Sequence, residues 1–78
     1  MNRLRQLRID LDISIIELAT EIGVDRTSIV SSELSSKPNR KTVDRSMAAL
    51  GRIVARRRDE RELFETAELL ELAGVASD

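Results

Sequence analysis

With 78 residues, no cysteine, no histidine and a single aromatic residue, Phe64, the chain can form one small domain with an aliphatic core and no disulfide or thiolate metal site to reinforce it. The lack of histidine removes the commonest general base and metal ligand, so no enzyme, metal or cofactor is expected. The net charge of -1 hides an asymmetry: residues 1–58 hold 12 Lys/Arg and 7 Asp/Glu, whereas residues 59–78 hold 1 Arg and 7 Asp/Glu. A basic body of +5 points to nucleic acid, although a solvated acidic tail on an ordinary surface is the plainer reading. Single-stranded partners are disfavoured, because stacking platforms need aromatic faces. No apolar run reaches membrane-spanning length and no signal-peptide core is present, so a cytoplasmic protein is expected, with no membrane partner.

Along residues 3–11, Leu4, Leu7 and Leu11 recur at helical spacing, flanked by Ile9, with Arg3, Arg5 and Arg8 distributed around them. Ser14 followed by Glu17 is a capping box that opens a second helix with the stripe Ile15, Leu18, Ala19, Ile22. Gly23 supplies the left-handed residue that closes it. A third helix then begins almost at once, capped by Asp25 or Thr27 and running to about Leu34, with Ile29 facing the core and Val30 exposed. Residues 35–41, SSKPNRK, read as a loop. Thr42 restarts a helix through Val43, Met47, Ala48 and Leu50, which either stops at Gly51 or continues through RIVARRR. Residues 60–73, ERELFETAELLELA, carry the strongest helical signal, with an apolar face of Leu63, Phe64, Ala67, Leu70 and Ala73 widened by Leu69 and Leu72. Gly74 ends it and residues 75–78 are expected to fray. The expectation is all-α: a compact domain of four to five helices, divided into a body over residues 1–58 and an acidic amphipathic C-terminal helix over 59–78.

Two helices this close in sequence cannot lie end to end. They must cross, as in a helix-turn-helix whose second helix enters the DNA major groove. Such a crossing requires a small residue at the contact (Ala19) and a residue tolerant of positive φ in the turn (Gly23). It also requires apolar anchors, for which Leu18, Ile22, Val24 and Ile29 are candidates. The outer face of the second helix offers Arg26, Thr27, Ser28 and Ser31.

Over residues 4–51 the chain resembles the lambda-repressor-like (Cro/CI-type, XRE) family of DNA-binding domains. The likeness rests on LR…R…L in the first helix, Ser14-x-x-Glu17-Leu18-Ala19, Ile22-Gly23-Val24 at the turn, Ser28-Ile29 in the third helix, Glu33 at its end, and Thr42…Ala49-Leu50-Gly51. The resemblance implies a partly buried pair between Arg8 and Glu33, tying the first helix to the recognition helix. Three positions depart from the family: Ile15 stands where glutamine is usual, Ser32 where a large apolar residue is usual, and Ser35 where a glycine is usual.

On this reading Arg26, Thr27 and Ser31 face base edges, with Ser28 on the same DNA-facing side, while Ser14, Lys37, Asn39, Arg40 and Lys41 hold phosphates. A plain solvated helix and a merely soluble basic loop are the competing readings. Arg56, Arg57 and Arg58 are open to either phosphate contact or neutralisation of the acidic helix. The Leu63, Phe64, Ala67, Leu70, Ala73 face is open to three roles: closing the domain's own core, forming a homodimer seam, or docking another protein. The expected function is a sequence-specific transcriptional regulator, of the phage Cro or repressor kind or an autoregulating antitoxin, binding a palindromic operator as a homodimer. The alternative is a helical adaptor of the same fold whose acidic helix binds protein, and Ile15 and Ser32 favour it.

Overall fold

A computed structural model describes residues 2–74. It consists of α1 (Arg3–Asp10), α2 (Ile15–Ile22), α3 (Arg26–Leu34) and α4 (Arg40–Leu72), with no strand among the described residues. The expected fraying of residues 75–78 lies outside that range.

The first residue described does two jobs. Asn2 Oδ1 accepts the Leu4 N–H at 3.0 Å and so caps α1. Its side-chain amide donates to the carbonyls of Ser32 and Ser35, and its backbone N–H donates to the Glu33 carbonyl at 3.0 Å. These carbonyls lie in the last turn of α3 and at its C-cap, where helical donors run out; the Ser32 carbonyl also accepts the Ser35 N–H. Asn2 therefore opens one helix and closes another, a role that no local pattern signals.

The turn into α2 places Asp12 at φ 56°, which aspartate tolerates better than most side chains, and buries Ile13 immediately after it. Ser14 Oγ accepts the Glu17 N–H at 3.0 Å. The reciprocal half of the capping box is absent, because the Glu17 carboxylate pairs with Arg57 at 2.6 Å instead. Gly23 ends α2 at φ 86°, its N–H bonded to the Ala19 carbonyl at 2.8 Å. A Cβ built on Gly23 would meet nothing within 4 Å, so only backbone strain opposes a side chain there. Gly23→Val is expected to cost about 1–2 kcal/mol. Gly23→Asn should cost less, since asparagine visits the left-handed region more readily. Chemical denaturation of the three proteins checks the order, and a Gly23→Val variant as stable as the parent would place the turn elsewhere.

Helix α4 departs most from expectation. It begins at Arg40, two residues before Thr42, because Asn39 Oδ1 caps it by accepting the Lys41 N–H at 2.8 Å. It passes through Gly51 unbroken and continues for 33 residues, so the expected body and C-terminal helix share one rod and residue 58 marks no break. The molecule is accordingly elongated, 55 × 21 × 17 Å, rather than compact. Gly74, at φ 75°, follows its end as expected.

The core is Ile13, Leu18, Ala19, Ile29, Ala49, Leu50 and Ile53, with Leu7, Ile15 and Ile22 packed against it. On α4 the buried positions are Ser46, Ala49, Leu50 and Ile53, one face at i, i+3, i+4, i+7 spacing. That face is rotated from the expected one: Met47 and Ala48 lie exposed, because the crossing of α2 chooses which side of α4 is covered. Val24 is also exposed rather than an anchor, and Val30 is half-buried rather than exposed.

Candidate nucleic-acid interface

Helix α3 is held from behind. Ile29 is buried in the core, and Glu33 meets Arg8 of α1 in a two-pronged pair, Nε to Oε2 at 2.7 Å and Nη2 to Oε1 at 3.0 Å. The third prong, Arg8 Nη1, donates to the Ile13 carbonyl at 2.9 Å. The hydrogen bond that Arg8 donates to Glu33 raises the pKa of the guanidinium above its ordinary value against the opposing effect of burial. The pair is the one implied by the family resemblance, and it fixes the roll of α3 about its own axis.

With its inner face fixed, α3 presents Arg26, Thr27, Ser28 and Ser31 to solvent. Thr27, Ser28, Ser31, Lys37 and Asn39 line one polar concavity of about 570 Å³, together with Ser32, Ser35, Pro38 and Thr42. Five of the nine residues expected to contact DNA are thus brought together. Arg26 stands at the first position of α3 and Arg40 and Lys41 in the first turn of α4, all exposed and none lining the concavity. Ser14 lies apart, exposed at the N-terminus of α2, where its hydroxyl caps the helix by accepting the Glu17 N–H.

The three departures from the family have structural consequences. Ile15 is half-buried against the core, so it anchors α2 and cannot hold a phosphate. Ser32 is half-buried on the wall of the concavity. Ser35 ends α3 in an extended conformation, φ -69° and ψ 134°, so no left-handed glycine is required there.

Charge on this face is partly unspent. Among the described residues, Arg26, Lys37 and Lys41 join no ion pair, and Arg40 makes only a long, exposed 3.9 Å contact with Asp44. Three arginines in the middle of α4 are used otherwise. Arg52 and Arg56 hold Glu21 at 3.2 and 2.7 Å, and Arg57 holds Glu17 while also donating to the Leu11 carbonyl. Arg56 and Arg57 therefore clamp α2 to α4, with Glu60 of the acidic segment adding a weaker attraction to Arg56, whereas Arg58 joins no ion pair among the described residues. The hydrogen bond from Arg56, then that from Arg52, holds the Glu21 carboxyl below the usual carboxylate range. The clamp's contribution is thus present above the ordinary carboxylate pKa and is lost as pH falls through the lowered one.

Leu63, Phe64, Ala67, Leu70 and Ala73 are all exposed on the far half of α4, so they do not close the domain's own core. No family model, no curated protein and no solved structure matches the chain. Among the described residues no cluster of Asp and Glu could hold a metal ion, and no helix is long and apolar enough to cross a membrane.

Proposed function

We propose that this chain is a double-stranded DNA-binding transcriptional regulator of the lambda-repressor-like kind, with α3 as the recognition helix in the major groove. The observation that carries this reading is the exposed polar face of α3, locked from behind by Ile29 and the Arg8–Glu33 pair and bordered by the unpaired cations Arg26, Lys37 and Lys41. A rigid helix of this kind suits base reading, because its side chains arrive at fixed positions. One such domain spans few base pairs, so the reading includes a homodimer on a palindromic operator. Phage repressors and autoregulating antitoxins are both accommodated.

Reading and gripping separate experimentally. Arg26→Ala should weaken binding to the selected site by about 1–3 kcal/mol and relax preference at one base pair. Lys41→Ala should weaken binding to every duplex alike and reduce the salt slope by about one unit. Selection from random duplexes followed by titration at several salt concentrations measures both. Failure to enrich any sequence would overturn the reading.

The exposed apolar face of the distal α4 favours a second reading, an adaptor that docks protein through residues 59–72. That reading gains if no duplex is enriched while truncation of the distal helix abolishes a protein contact.

A further inference from the structure

Beyond the body, α4 carries a second pattern. Met47, Gly51, Val54, Arg58, Arg61, Glu65, Glu68 and Leu72 stand at alternating spacings of four and three, which lines them up along one face of the helix. All eight are exposed. The seam is apolar at its ends and charged at its centre, with two arginines followed by two glutamates. Among the described residues none of those four charges joins an ion pair.

We propose that α4 pairs antiparallel with α4 of a second copy along this seam, in the register that sets Arg58 against Glu68 and Arg61 against Glu65. The charge order excludes the alternatives. A parallel pairing would face each residue with itself, arginine on arginine and glutamate on glutamate. When the direction reverses, seam positions of the two alternating classes meet across the axis, so allowed registers differ by whole heptads. One heptad one way places Arg58 on Arg61; one heptad the other way places Glu65 on Glu68. Only the intermediate register matches opposite charges, and two-fold symmetry makes each match twice.

The same register brings Leu72, 82 % exposed in the single chain, opposite Val54. Val54 borders an apolar groove of about 330 Å³ between α1 and α4, which Leu11 and Leu50 also line. The end of one distal helix therefore has an apolar seat on the other copy's body. The opposite stripe, Leu63, Ala67 and Leu70, is the competing seam, but it carries no charge order that would fix a direction or a register.

The proposal extends the homodimer of the reading above, but its test uses no DNA, so its failure leaves base reading by α3 standing. Two full-length variants are compared with the parent by sedimentation equilibrium, with circular dichroism as a check on helix content. One carries Arg58→Glu and Arg61→Glu, the other Glu65→Arg and Glu68→Arg. The parent should be a dimer, and each variant alone should dissociate at least about tenfold more readily. An equimolar mixture should restore a dimer containing one of each, since all four contacts are then opposite in charge. A monomeric parent overturns the proposal, as does a mixture no tighter than its components. So does a pair of variants that dimerise like the parent while Ala67→Glu does not, which would place the seam on the Leu63–Leu70 stripe.

Discussion

Replacing Glu33 by alanine is expected to remove about 3–5 kcal/mol of stability, a large share of what a domain of this size possesses. The reason is the group left behind. Arg8 is only 8 % exposed and Glu33 4 %, and the pair satisfies two prongs of the guanidinium. Without Glu33, a charged guanidinium remains among apolar neighbours with only the Ile13 carbonyl to bond. It cannot escape by losing its proton, since arginine stays charged at any accessible pH. Arg8→Ala should cost a similar amount by stranding the carboxylate. The double replacement Arg8→Met with Glu33→Leu should cost far less than the two single changes together, because it strands no charge. Urea unfolding of the four proteins makes the comparison. A parental midpoint for Glu33→Ala would mean that the two side chains do not meet in solution.

How far such a structure can be read from its sequence depends on the range of each interaction. The α2–α3 unit is legible because its determinants are local: Ser14 as cap, Leu18 and Ala19 on one face, Gly23 where φ must be positive. The Arg8–Glu33 contact spans 25 positions and came from the family resemblance; periodicity alone would not have paired them. Asn2 shows what remains hidden, since its partners at Ser32, Glu33 and Ser35 are adjacent only after α1 has docked on α3. The clamp of Arg52 and Arg56 on Glu21 is hidden for the same reason. The sequence left phosphate contact and neutralisation of the acidic helix equally open for Arg56, whereas the fold delivers a carboxylate from α2. On the candidate interface, the exposed polar face of α3 was legible from its pattern. The concavity beside it was not, because Pro38, Asn39 and Thr42 form its far wall only when α4 turns back. The distal half of α4 was legible as a helix, while its continuity with the preceding one stayed open, since Gly51 carried a stop signal that tertiary packing overrode.

That override yields the last prediction. Gly51 in mid-helix is unfavourable by about 1 kcal/mol relative to alanine, so α4 can continue only if burial beyond the glycine compensates. Ile53, two residues on, is fully buried at 0 % exposure and joins Ala49 and Leu50 against α2. Ile53→Ala should therefore cost about 2–5 kcal/mol, the transfer of its side chain plus the cavity left behind. Val54→Ala, one position further on an exposed face, should cost no more than about 1 kcal/mol. Gly51→Ala should move stability the other way, raising it by about 1 kcal/mol, because a Cβ there meets nothing within 4 Å and the backbone is already helical. The three signs and sizes, read from denaturant unfolding, belong together. A helix that stopped at Gly51 would leave Ile53 and Val54 in a linker, would make their alanine variants alike, and would turn Gly51→Ala into a loss.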